Sequence, residues 1–191
     1  FPGQESVNLE HLAKAIAVFE RSLIAVNSRF DRFMRGDEDA LSLAEQEGLQ
    51  TFKDAGCALC HNGPMFSDWE THVLGAPASK LLEKVDSGFQ QQFAFRTPSL
   101  RNLRFTFPYM HNGELNALDR VLEFYEDISQ NKSHHPQVAE TDFDPLVQHL
   151  DLDVRDMDLI INFLLALNDD DFDREIPYSV PSGLPVGGNI Y

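Results

Sequence analysis

The sequence is poor in cysteine, in basic residues and in long hydrophobic runs, and each shortage excludes something. Only 2 of the 191 residues are cysteines, so a framework of several disulfides is impossible. Lys and Arg number 15 against 31 Asp and Glu, for a formal charge of −16, which repels phosphates and predicts no binding to nucleic acid. The longest apolar run, residues 159–165, is broken by Asn162 and is too short for a membrane span.

The chain begins FPGQESV, without an initiator Met, a basic segment or an apolar signal segment. We therefore expect it to be processed or to be a fragment. Its length suffices for one domain with a real core. Its acidity favours a basic partner, whose attraction would weaken with salt.

Apolar residues at helical spacing predict an all-α fold. The first helix follows Asn8, the expected N-cap, and carries an apolar stripe of Leu9, Leu12, Ile16, Phe19 and Leu23. Ser42 and Glu45 spell a capping box for a second helix that ends near Gly56. Further helices are predicted over 115–125 and 153–167. Residues 27–40, 62–77 and 96–114 are expected to be mostly irregular.

Both cysteines lie in the sequence CALCH, where Cys57 and Cys60 stand three apart and His61 follows. This spelling is that of a c-type haem attachment site, with two thiols for the vinyl groups and an imidazole for the iron. The alternatives are a zinc knuckle, which would require more Cys or His ligands, and a redox dithiol, which would require a βαβ setting. Just upstream, Gly48 and Phe52 would let the helix of 153–167 cross closely.

Four stretches in order, 13–37, 56–64, 96–125 and 180–188, resemble the C-terminal domain of bacterial dihaem cytochrome c peroxidases, whose superfamily includes MauG. The resemblance implies one class I cytochrome c-like haem domain over 1–191, with long irregular loops and an extended tail over 177–191. It also implies a second haem and its N-terminal domain, which would be a separate chain or a cleaved fragment.

The resemblance also bears on the sixth iron ligand. Aligned on the helix of 115–125, Tyr125 occupies a position where electron-transferring peroxidases place Met and MauG-like proteins place Tyr. A phenolate favours ferric and higher states, whereas a thioether favours ferrous iron. Tyr125 is therefore predicted opposite His61. Met110 is the rival ligand, and His111 would be a third candidate.

Two further pairs of residues match positions of the family. Thr106 and Pro108 match positions whose backbone carbonyls bind calcium, an ion that prefers several hard oxygen ligands. Arg96 and Arg101 lie in RTPSLRN and are predicted partners of the haem propionates. The alternative for Thr106 and Pro108 is an ordinary proline turn. The alternative for Arg96 and Arg101 is that both are solvated at the surface.

The remaining histidines and the single tryptophan are assigned no role. His72 and His149 are expected at the surface, and His134 and His135 in a solvated polar loop. Trp69 is expected to be a loop or pocket-wall residue, because the family's inter-haem tryptophan belongs to the other domain.

The function implied is that of a MauG-like haem oxidoreductase in the periplasm. Hydrogen peroxide would react at the other domain's haem, and the His–Tyr haem of this chain would relay oxidising equivalents to a protein electron donor or substrate. One alternative is the electron-entry domain of a conventional cytochrome c peroxidase with a His–Met haem. The other is a monohaem electron-transfer cytochrome without peroxide chemistry.

Overall fold

A computed structural model describes residues 6–23, 25–80, 83–171, 177–181 and 183. Within these ranges the protein is mostly helical, with a small two-stranded sheet. The α-helices are α1 (Leu9–Ser22), α2 (Arg29–Met34), α3 (Leu43–Asp54), α4 (Leu118–Ser129) and α5 (Met157–Ala166). The strands are β1 (Thr71–Val73) and β2 (Ala94–Arg96). Short 3₁₀ helices span Glu38–Ala40, Cys57–Leu59, Leu103–Phe105, Glu140–Asp142, Pro145–His149 and Val154–Asp156.

The chain divides into two compact units. One unit takes its described residues from 1–26 and 170–191 and contains α1, which begins after Asn8 as predicted, with the His11 N–H donated to the Asn8 side chain at 2.9 Å. The predicted apolar stripe of α1 is 49–84% exposed. Of the predicted tail, residues 182 and 184–191 lie outside the described part. No helix in the described ranges is long and apolar enough to cross a membrane.

The other unit spans Asn27–Asp169, and its core forms where α3 crosses α5. The predicted capping box is confirmed, since Ser42 accepts from the Glu45 N–H and Glu45 accepts from the Ser42 N–H. Gly48 lies at the crossing, and a Cβ at this position would come within 2.0 Å of the Leu159 carbonyl oxygen. The missing side chain therefore sets how closely the two helices approach, as the sequence predicted.

Replacing Gly48 with alanine should lower the free energy of unfolding by about 3 kcal/mol, the upper end of the usual cost of overpacking a core. The added methyl group would meet backbone rather than a flexible side chain, because Leu159 contributes its carbonyl group at this point. The measurement is urea unfolding of the protein as purified. Glu47→Ala is the matched control, because Glu47 is the exposed preceding residue of the same helix. If Gly48→Ala is as stable as this control, α3 and α5 move apart at little cost and the predicted overpacking is wrong.

Two elements, α2 and β1, lie in stretches that the sequence predicts to be irregular, and β2 overlaps such a stretch only at Arg96. α2 occupies part of 27–40 and begins with a capping box of Ser28 and Asp31. β1 and β2 pair antiparallel, with Thr71 opposite Arg96. The all-α prediction is therefore too narrow, because it missed two strands of three residues each that are too short for a visible alternating pattern.

Candidate functional site

A cavity of about 530 Å³ opens beside the α3–α5 core. Its wall is formed by residues from the 3₁₀ helix Cys57–Leu59, from β2 and the loops after it, and from α4 and α5. Most of the lining is apolar, including Leu103, Leu122 and Ile160. A concave, mostly apolar cavity of this size with a few polar groups is the usual form of a cofactor site.

Cys57, Cys60 and His61 all line this cavity. They follow Gly56, which ends the α3 segment in the left-handed conformation. Burial is the main cause that raises the pKa of Cys57 to about 12 and that of Cys60 to about 11, with the charges of Asp68 and Asp144 adding to the effect at Cys60. Without a bound cation both side chains are therefore neutral thiols near pH 7, not the thiolate that a redox dithiol uses.

The orientation of His61 is fixed by its Nδ1, which donates to the Phe66 carbonyl oxygen at 2.9 Å. This bond selects one tautomer and leaves the lone pair of Nε2 available, as second-shell partners of metal-bound histidines do. Burial, opposed by the hydrogen bond to Phe66 and the charge of Asp68, leaves the pKa of His61 below its usual value. The side chain is therefore a neutral imidazole, the form that binds a metal.

Tyr125 projects from α4 and also lines the cavity. Burial, followed by the neighbouring thiols of Cys57 and Cys60, raises the pKa of Tyr125 well above its usual value. The side chain is partly buried, and among the described residues its hydroxyl group has no hydrogen-bond partner. An unpaired phenol beside the CxxCH residues fits a ligand that occupies the cavity.

The two rival ligands reach the same cavity. Met110 lies in the loop before α4 with a left-handed backbone (φ 69°), and it packs partly against the core of Phe124 and Ile128. The His111 ring stacks on Phe95, with centroids 3.5 Å apart. Burial, opposed by the charge of Asp86, lowers the pKa of His111.

The two predicted propionate partners differ in their surroundings. Arg101 lines the cavity, but its guanidinium forms a bidentate pair with Asp31, with both distances 2.8 Å, and its Nε donates to the Pro64 carbonyl at 2.7 Å. Arg96 also lines the cavity, is exposed, and forms no ion pair within the described part of the chain. Arg96 is thus the arginine that is free to meet an anionic group.

Thr106 and Pro108, the predicted calcium residues, are exposed and line the same cavity. They follow the 3₁₀ helix Leu103–Phe105 and flank a cis peptide between Phe107 and Pro108. A calcium ion takes six to eight oxygens, so two carbonyls would be a minority of its ligands. The calcium site stays a prediction.

His72 is buried, although the sequence predicted it at the surface. It is 9% exposed and is held between two carboxylates, with Nδ1 2.8 Å from Asp144 and Nε2 2.9 Å from Asp68. His135 is also buried, at 7% exposure, against Phe93. Only the spacing of Asp68 and His72, four positions apart, hinted at this arrangement, since Asp144 is distant in sequence.

The other residues without an assigned role are where the sequence put them. His149 and His134 are exposed, and His134 bonds to Asp127 at 2.7 Å. Trp69 is 52% exposed in a loop, and it is absent from the residues that line the cavity.

One group in the described residues has the spacing of a metal site: ligand atoms of Cys60, Asp68 and His72 lie within 4.8 Å of one another. Both nitrogens of His72 are already bonded to carboxylates, so neither has a lone pair left for a metal ion. The apolar cavity, the tautomer of His61 and the unpaired hydroxyl of Tyr125 fit a covalently attached haem better than they fit a zinc ion.

Comparisons with known proteins identify relatives of this chain. A family model described as di-haem cytochrome c peroxidase matches residues 1–39. The methylamine utilization protein MauG of Methylorubrum extorquens is 38% identical over 130 residues, which cover 65% of this chain and 37% of the relative. The cytochrome c551 peroxidase of Nitrosomonas europaea is 29% identical over 188 residues, which cover 94% of this chain and 51% of the relative. The MauG of Methylophilus methylotrophus is 34% identical over 164 residues, which cover 78% of this chain and 49% of the relative. This chain belongs to the dihaem cytochrome c peroxidase/MauG family.

Solved structures show the same fold at lower identity. A MauG-like protein associated with microbial copper homeostasis superposes with a TM-score of 0.68 at 24% identity, over 89% of this chain and 56% of that one. The diheme peroxidase BthA of Burkholderia thailandensis gives a TM-score of 0.57 at 21% identity, over 76% and 47% of the two chains. The chain spans about half the length of the cytochrome c551 peroxidase that it matches and 37% of the length of the first MauG.

Proposed function

We propose that this chain is the second haem domain of a MauG-like oxidoreductase. It would hold one haem c, with Cys57 and Cys60 as thioether anchors and His61 and Tyr125 as the axial ligands. The observation that carries this proposal is the meeting of the CxxCH residues and the unpaired Tyr125 hydroxyl at one apolar cavity. The crossing of α3 and α5 next to that cavity supports a class I cytochrome c-like arrangement of the domain.

When bound, haem c supplies one-electron oxidation and reduction at its iron. His61 suits this role because the Phe66 carbonyl accepts its Nδ1–H, which leaves Nε2 without a proton in the neutral ring. Tyr125 keeps its proton while the cavity holds no compensating positive charge, because burial raises its pKa. A ferric ion would supply that charge and favour the phenolate. The apolar wall limits the access of water, which strengthens both interactions.

The rest of the assembly follows from the family. A second haem domain, on a separate chain or a cleaved fragment, would consume hydrogen peroxide, and two electrons from a protein donor would reduce each peroxide to water. Arg96 would meet a propionate, and the carbonyls of Thr106 and Pro108 would contribute to calcium binding. The periplasm is the expected compartment, because bacteria attach c-type haem outside the cytoplasmic membrane.

A second candidate function is the electron-entry domain of a conventional cytochrome c peroxidase with a His–Met haem. The presence of Met110 in the cavity wall favours it, and relatives of both kinds match this chain. The two candidates differ in the sixth ligand and therefore in the reduction potential, because a thioether raises the potential relative to a phenolate.

The native complex, purified with its haems, provides the test. We expect one c-type haem on this chain, a second haem in the same complex, and oxidation of a protein donor only when hydrogen peroxide is added. Haem content is measured by pyridine haemochrome analysis, and peroxide consumption is followed with and without the donor. A complex with a single haem that leaves peroxide untouched would instead be a monohaem electron carrier, and the proposal would be wrong.

A further inference from the structure

A charged cluster is formed by buried His72 and the partly buried carboxylates Asp68 and Asp144, and His72 and Asp144 line the proposed haem cavity. His72 donates from Nδ1 to Asp144 at 2.8 Å and from Nε2 to Asp68 at 2.9 Å. The three side chains are 9%, 17% and 21% exposed for His72, Asp68 and Asp144. They come from β1, from the loop before it and from the residue that caps the 3₁₀ helix Pro145–His149. Three separate segments therefore converge on one imidazole.

The hydrogen bonds decide the charge of this cluster. An ionised carboxylate only accepts hydrogen bonds, so both nitrogens of His72 must carry a proton and the ring is an imidazolium. Burial alone would lower the pKa of His72, but the hydrogen bonds and charges of Asp144 and Asp68 outweigh it and raise the pKa. With two carboxylates and one imidazolium, the cluster has a net charge of −1.

The cluster adjoins the second attachment cysteine. Ligand atoms of Cys60, Asp68 and His72 lie within 4.8 Å of one another, and His72 and Asp144 line the same cavity as Cys60. The backbone N–H of Asp68 donates to the Cys60 carbonyl at 2.8 Å, and that of Asp144 donates to the Val73 carbonyl at 2.9 Å. The charges are thus held by the backbone at a fixed place beside the attachment loop.

A fixed negative charge in a poorly hydrated wall stabilises positive charge nearby, because the interaction weakens only slowly with distance when little water screens it. Oxidation of an iron adds one positive charge. We propose that Asp68, His72 and Asp144 are positioning residues that seat the Cys60 loop and whose net negative charge lowers the reduction potential of the haem. This inference rests on the proposed function, and it adds a means by which the chain favours the oxidised iron.

The test compares reduction potentials of this haem in the native, haem-loaded complex at pH 6, where the raised pKa of His72 keeps the ring protonated. Asp144→Asn keeps the size of the side chain and removes one negative charge, so the potential should rise. His72→Gln removes the positive charge and leaves both carboxylates, so the potential should fall. Asp158→Asn is the control, because Asp158 is an exposed acid of α5 outside the cavity wall, and its effect should be smaller than either.

Opposite shifts from Asp144→Asn and His72→Gln would support the electrostatic role, because mere loosening of the loop would move both potentials the same way. Shifts in one direction, or shifts no larger than that of Asp158→Asn, would overturn it. Should Asp144→Asn prevent haem attachment, Asp68→Asn carries the same prediction and retains the backbone bond to Cys60. If wild-type protein carries covalent haem but neither substitution shifts its reduction potential, only this inference is refuted. If wild-type protein carries no haem, the proposed function is refuted as well.

Discussion

Replacing both Cys57 and Cys60 with alanine is expected to leave the protein without any covalently attached haem. The chain has only these two cysteines, so no other thiol can form a thioether. Both line the cavity together with His61, and burial keeps both as thiols by raising their pKa values. Haem staining of a denaturing gel measures the loss directly, because only covalent haem stays with the denatured chain.

Leu59→Ala is the control for this experiment, since Leu59 lies between the two cysteines and is 43% exposed. It should retain haem at the wild-type level. The competing interpretation, a metal ion at Cys60, Asp68 and His72, makes a different prediction. Wild-type protein would then contain zinc and no haem stain, and Cys60→Ala alone would remove the metal.

The parts of the fold that the sequence predicted are those encoded by neighbouring residues. The start of α3 follows from Ser42 and Glu45, three positions apart, and its crossing with α5 follows from Gly48 and Phe52. The phenyl rings of Phe52 and Phe163 indeed meet across this crossing, with centroids 5.3 Å apart. Such signals lie within one or two helical turns and need no knowledge of the rest of the chain.

The parts that were missed depend on contacts between distant residues. The strand pair joins Thr71 to Arg96, and each strand is only three residues long, so neither has a visible pattern of its own. The bidentate pair of Arg101 with Asp31 has no local signal, because the two residues lie 70 positions apart. His72 appeared to be a surface residue because one of its two carboxylates, Asp144, lies 72 positions away.

The candidate site divides in the same way. Cys57, Cys60 and His61 form a local motif, and the sequence alone identified them. Tyr125 has no local signal that separates it from a buried aromatic residue, and only its position in the family pointed to the iron. In the folded chain Tyr125 lines the same cavity as Cys57, Cys60 and His61. This proximity cannot be read from the sequence of α4.

Replacing Tyr125 with phenylalanine is expected to change the ferric optical spectrum and to lower peroxide-dependent oxidation of the protein donor. The expected decrease is at least about 10- to 100-fold, the range seen when a residue one shell further from a metal is lost. The fold should survive, because phenylalanine keeps the ring that packs against Phe124, with centroids 5.3 Å apart. The Tyr125 hydroxyl forms no hydrogen bond among the described residues, so its removal costs no structural bond.

Two companion variants separate Tyr125 from its rival. Met110→Leu preserves bulk and removes the thioether, and with Tyr125 as ligand it should leave the ferric spectrum unchanged. Tyr125→Met should raise the reduction potential, because a thioether favours ferrous iron, and should introduce the near-infrared sulfur-to-iron band. If wild-type protein already has that band and Met110→Leu abolishes it, Met110 is the ligand. The chain would then be the domain through which electrons enter a conventional peroxidase. Its oxidised iron would not be stabilised by the Tyr125 phenolate.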